Sequence, residues 1–156
     1  MQTANYPLNK GNKYNKPKFI VLHAMGEFIE YEKQHYHATE FLKLVGLSAH
    51  RLITPSGVVI KCREDNQGAW HAKGYNTDSL GIEFLVPGVH NYKSFLKALK
   101  TSYLTSKALK AGVEILKYWM DKFDIDKIDI KSHQQIDPDR KHDPGIITEV
   151  EILNLL

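Results

Sequence analysis

Three residues far apart in the chain, His23, His133 and Asp143, are of the types that hold a hydrolytic metal ion. His23 closes the apolar, β-branched run Lys18-Phe19-Ile20-Val21-Leu22-His23, and His133 closes the alternating run Ile128-Asp129-Ile130-Lys131-Ser132-His133. Each run reads as a strand delivering a histidine at its tip, where rigid scaffolds commonly display ligands and catalytic groups. Asp143 stands ten positions beyond His133, on a stretch from Gln134 to Gly145 that reads as a loop able to fold back. Two imidazoles and one carboxylate with a fourth position open form the donor set of a zinc ion that activates water. A single histidine at a strand end is more often a structural, hydrogen-bonded residue, so the weight rests on the pair. His142 is an alternative donor beside Asp143. Glu83 lies inside the apolar run Leu80-Gly81-Ile82-Glu83-Phe84-Leu85, where a carboxylate needs a partner or a task.

The elements that must position these groups follow from periodicity and turn chemistry. Residues 1–17, rich in Asn, Lys and Tyr and closed by Pro17, read as an N-terminal arm ahead of a domain over 18–156. A helix is expected from Ala38 to Val45, stopped by Gly46, and two antiparallel strands at 50–54 and 58–61 flank Pro55-Ser56-Gly57. Leu109, Val113, Leu116, Met120 and Phe123 give one apolar stripe on a helix from Thr105 to Lys122. Thr148 and Glu151 have capping-box spacing for a C-terminal helix. The polar tract Glu32–His37 reads as a solvated loop rather than a second metal site. The fold class is α/β, a single domain with a central mixed β-sheet flanked by helices.

Composition narrows the functions. The chain has 156 residues, 42% hydrophobic and 25% charged, enough for one core. Its 21 basic and 18 acidic residues give a net charge of +3, too mild a surplus to argue for nucleic acid. Cys62 is the only cysteine, which excludes an internal disulfide framework and an all-cysteine zinc site. No apolar run reaches membrane-spanning length, and Met1–Pro7 lacks the basic start and apolar stretch of a signal peptide. Synthesis in the cytoplasm, no membrane partner and a monomer are expected.

The segment Ser132-His133-Gln134-Gln135-Ile136-Asp137-Pro138-Asp139-Arg140-Lys141-His142-Asp143-Pro144-Gly145 resembles the closing motif of the type 2 N-acetylmuramoyl-L-alanine amidases. Ser48-Ala49-His50-Arg51-Leu52-Ile53, Ala69-Trp70-His71-Ala72-Lys73-Gly74-Tyr75-Asn76 and Ser79-Leu80-Gly81-Ile82-Glu83 resemble the same family in its order and spacing. The family includes phage lysozyme-like amidases, cytosolic muropeptide-recycling amidases and peptidoglycan-recognition proteins. The resemblance implies that fold, one Zn²⁺ ion on His23, His133 and Asp143, and hydrolysis of the muramic acid–L-alanine amide of peptidoglycan or muropeptides. It implies that Glu83 and Lys141 are catalytic and that His50, Trp70 and His71 line or support a substrate groove. Asp143 stands where other branches have Cys and looks like the recycling branch, whereas Ala72–Asn76 looks like the phage branch.

The chain departs from the family at Ala24, where many relatives carry a second polar residue after the first ligand, and at Asp139 and His142, where Gly and Thr are common. A phage-type endolysin acting on the wall after release and a cytosolic recycling enzyme are both compatible. The rival from another class is a peptidoglycan-binding module without catalysis, against which the complete ligand set counts.

Overall fold

Two long parallel strands form the spine of the protein, whose computed structural model describes residues 1–156. In chain order the strands are β1 (Thr3–Asn5), β2 (Phe19–Tyr31), β3 (Gln34–His37), β4 (Arg51–Ile53), β5 (Val59–Lys61), β6 (Ser79–His90) and β7 (Ile130–Ser132). The helices are α1 (Ala38–Val45), α2 (Tyr92–Ala98), α3 (Ser106–Phe123), α4 (His133–Ile136) and α5 (Ile146–Leu153), with a 3-10 turn at Lys127–Asp129. The sheet runs β1-β5-β4-β6-β2-β3, and β7 also pairs with β2. The β4/β5 and β2/β3 pairs are antiparallel and the others parallel, so the sheet is mixed, as expected.

Alternation along the strands sends side chains to two faces. Ile20, Leu22, Ile53, Leu80, Ile82 and Phe84 pack with Ala111, Ile115, Leu116 and Trp119 of α3 and Ile152 of α5. Leu52, Ile60 and Leu85 pack with Ala38 and Leu42 of α1 and with Leu8 of the arm. α3 can approach β6 closely because Gly112 lacks a side chain: a Cβ there would lie 2.2 Å from the Phe84 ring. Its fully buried stripe includes Ala108, Ala111, Ile115 and Trp119, while Leu109, Met120 and Phe123 are half-buried on the flank. No helix is long and apolar enough to cross a membrane.

Several local expectations are corrected. β2 does not end at His23 but continues to Tyr31 through an irregularity between Gly26 and Phe28, so His23 is mid-strand. The 128–133 run is shared among the 3-10 turn, β7 and α4, so His133 opens a helix rather than ending a strand. The Glu32–His37 tract is a turn plus β3: Glu32 and Lys33 both take positive φ (48° and 62°), the backbone of a tight hairpin, without the Gly or Asn that usually announces it. α5 starts at Ile146 with Gly145 as its N-cap, leaving Thr148 buried inside the helix rather than capping it.

The arm is laid along the sheet. β1 pairs with β5, Leu8 is buried, and the Asn15 amide donates to the Ser79 carbonyl at 2.9 Å.

Candidate metal centre and its groove

β7 covers one edge of β2 only from Ile20 to Leu22, and β3 covers it only from Phe28 onward. Between them the edge from His23 to Glu27 is left open, and the site is built in this gap. Ser132 caps α4: its hydroxyl accepts the Gln135 N–H at 3.2 Å, and the Gln135 side chain accepts the Ser132 N–H at 2.9 Å. That reciprocal cap fixes His133 at the start of the helix, beside His23. The following loop returns so that the Gln134 N–H donates to the Asp143 carbonyl at 3.0 Å and the Ala24 N–H donates to Asp143 Oδ2 at 3.3 Å.

The result is a convergence of lone-pair donors. His23 Nδ1 lies 2.9 Å from His133 Nδ1, and the two lie 3.2 and 3.1 Å from Asp143 Oδ2. All three residues are buried. Zinc bonds of about 2.0–2.1 Å in tetrahedral array put ligand atoms roughly 3.3 Å apart, close to the spacing here. Two nitrogens of the same kind facing each other beside a carboxylate repel unless a cation or proton lies between them. The three residues therefore fit a single cation, and two imidazoles with one carboxylate suit zinc among divalent ions. His142, the other possible donor, is exposed and outside the cluster.

The electrostatics agree with that convergence. Burial lowers His23 below the ordinary imidazole value, opposed by the hydrogen bond and charge of Asp143. Burial also pushes the Asp143 carboxyl up, but the adjoining rings of His133 and His23 prevail and hold it below the usual carboxylate range.

Glu83 pairs in register with His23 across β6 and β2. Its Oε2 is buried without a hydrogen-bond partner. Burial, reinforced by the charge of Asp143, pushes its carboxyl well above the usual range.

A groove of about 220 Å³ opens over this corner, with His23, Glu83, His133 and Asp143 in its lining. Lys141 and Trp70 are in its wall, as are Phe41, Leu47, Tyr92 and Phe95. Trp70 is 44% exposed, and Lys10 Nζ stands over its ring 5.7 Å from the centre. A larger, open depression of about 860 Å³ lies by Tyr75, Ile128 and Ile136, and its lining includes none of the three cluster residues and no comparable donor set.

Of the residues expected to contact substrate, Trp70 and His71 reach the groove and His50 does not. His50 is wholly buried, with Nε2 directed to the Gln67 carbonyl at 2.8 Å and Nδ1 accepting the Gly81 N–H at 3.0 Å. Both ring nitrogens are thereby committed, and burial lowers its pKa to about 4. The α2 residues Tyr92 and Phe95 were missed as groove walls. Asn91, whose side chain accepts the Ser94 N–H at 2.9 Å, was the cap signal that could have revealed that helix.

Comparison with known proteins sets this geometry in a family. The family model for N-acetylmuramoyl-L-alanine amidase matches residues 13–146. No curated protein sequence matches significantly. The fold is shared with N-acetylmuramoyl-L-alanine amidase LysC from Clostridium intestinale URNW at TM-score 0.71 and 18% identity, over 99% of this chain and 95% of that one. It is shared with the AmpD selenomethionine derivative at TM-score 0.75 and 19% identity, over 99% and 94% of the two chains. The catalytic domain of XlyA superposes at TM-score 0.66 and 15% identity, over 97% and 99%. With most of its length matched by the family model and its sheet shared with these amidases, the chain belongs to the type 2 N-acetylmuramoyl-L-alanine amidase family.

Proposed function

We propose that the protein hydrolyses the amide between the lactyl group of muramic acid and L-alanine, using one zinc ion held by His23, His133 and Asp143. The observation that carries this is the convergence of two Nδ1 atoms and a carboxylate oxygen within 3.2 Å, on the floor of a groove beside an unpartnered carboxyl. When bound, zinc supplies a Lewis acid that makes a water acidic near neutral pH and polarises a carbonyl.

The chain supplies the rest. Glu83 takes the proton from the attacking water and passes it to the departing L-alanine nitrogen, which leaves as an amine. Glu83 lines the groove on the strand next to His23, and its buried Oε2 has no hydrogen-bond partner to give up. Lys141 carries its positive charge on the groove wall and offsets the negative charge that grows on the carbonyl oxygen during attack. Trp70 offers its exposed ring to a sugar or peptide. The carbonyl that becomes the new carboxylate stays with the sugar, and the stem peptide leaves with a free amine.

As for role, the phage-like Ala72–Asn76 segment favours a cell-wall lysin and Asp143 a recycling enzyme. Digestion of intact sacculi and of soluble anhydro-muropeptides, each with and without chelator, tests both levels. Free stem peptide, lost on chelation and restored by zinc, is expected, and faster release from sacculi identifies a lysin. A zinc-loaded protein that releases peptide from neither substrate leaves a binding module as the correct description.

A further inference from the structure

The geometry points to His71 as a positioning residue: a hydrogen-bonded chain from the Tyr75 carbonyl through Ser79 and His71 fixes the tautomer of His23 and turns its Nδ1 lone pair toward the metal site. This rests on the proposed ligand role of His23.

The direction of the chain follows from counting hydrogens. Ser79 Oγ lies 2.5 Å from the Tyr75 carbonyl oxygen, which can only accept, so the single hydroxyl hydrogen is committed there. At 3.2 Å from Ser79 Oγ, His71 Nε2 must therefore be the donor. A neutral imidazole carrying its hydrogen on Nε2 has a bare Nδ1. His71 Nδ1 lies 2.8 Å from His23 Nε2, so it accepts, and His23 carries its hydrogen on Nε2. His23 Nδ1 is then a lone pair, the form a metal requires, and it is this atom that faces His133 and Asp143.

The ring of His71 is seated for this purpose. It rests on Gly81, where a Cβ would come within 2.7 Å of it. Its backbone is pinned by Asn76 Oδ1, which accepts the N–H groups of His71 at 3.0 Å and Ala72 at 2.8 Å. Ser79, Gly81 and Glu83 alternate along β6 onto one face, in register with Phe19, Val21 and His23 of β2. One strand thus carries the Ser79 link of the chain, the Gly81 seat of His71 and the carboxyl beside the metal site.

Zinc affinity measured by chelator competition, read beside ¹⁵N spectra of the zinc-loaded protein, tests the inference. His71 is expected to be protonated at Nε2 and bare at Nδ1. His71→Leu is expected to weaken zinc binding about 10–100-fold, and Ser79→Ala to weaken it less. His71→Asn, whose amide oxygen can stand near the Nδ1 position, is expected to recover most of the loss and guards against a folding defect in the leucine variant. A hydrogen on His71 Nδ1, or wild-type affinity in a folded His71→Leu protein, overturns the positioning role while leaving the zinc site standing. A wild-type protein that binds no zinc overturns the proposed function itself, a distinct result.

Discussion

Two clusters of charged and polar side chains are buried in this protein, and they are built on opposite rules. Around Asp65 the buried charge has its complements: Arg51 donates to one carboxylate oxygen at 2.6 Å and Lys122 to the other at 2.9 Å. Arg51 also donates to the carbonyls of His50 and Arg63 and stacks 5.5 Å from the centre of the Trp119 ring. Around Asp143 the Nδ1 atoms of two histidines and a carboxylate oxygen face one another with no complementary charge among them. A satisfied cluster ties β4, the 63–65 loop and α3 together, whereas converging lone pairs require something from outside. Burial alone would not tell the two apart; the count of donors against acceptors does.

The largest effects should fall on the second cluster. Asp143→Ala and His133→Ala are expected to lose zinc binding and about 10³-fold or more in kcat/KM. Both should fold, because neither side chain belongs to an apolar core. Melting with and without added zinc checks this: the ion should raise the wild-type Tm and leave the variants unmoved. Glu83→Gln should keep zinc affinity and lose about 10²–10⁴-fold in kcat, measured by peptide release.

At the first cluster the expected loss is stability instead of chemistry. Asp65→Ala strands the buried Arg51 cation and should cost about 3 kcal/mol, or roughly 6–12 °C in Tm, with zinc content per folded chain unchanged. His50, beneath the groove, gives a pH signature. An unfolded histidine ionises near pH 6.5, whereas the buried ring resists to about 4. Between those values the unfolded chain binds the extra proton, so stability is whole above about pH 6.5 and falls as the pH drops toward 4. Urea titrations should give a shallower slope for His50→Asn. Smallest is Lys122→Ala, whose side chain is 42% exposed and should matter by about 1 kcal/mol or less.

Much of the ligand corner was readable because its residues sit in compact motifs, and the three candidates at 23, 133 and 143 are brought together. Periodicity and turn chemistry also found α1, the β4/β5 pair and α3, with Thr105 proving to be the N-cap of α3 rather than its first residue. The hairpin into β3 escaped because its turn uses Glu32 and Lys33 at positive φ, where residue preference gives no signal. β2 was cut short because the polar His23 closes the apolar run, yet the ladder continues past it to Tyr31. His50 and His71 looked alike in sequence, and only their partners separate a wholly committed ring from one that touches His23. These partnerships, His50–Gln67, His50–Gly81 and His71–His23, span 17, 31 and 48 positions, beyond the reach of any periodic pattern.

The most direct test of the central claim is digestion of peptidoglycan in ¹⁸O-labelled water, followed by mass spectrometry of both products. The label should appear in the lactyl carboxylate of muramic acid, with an unlabelled stem peptide that begins at L-alanine. Label at a peptide carboxyl or at a sugar reducing end would contradict the account, since it would mean that the groove cuts a different bond.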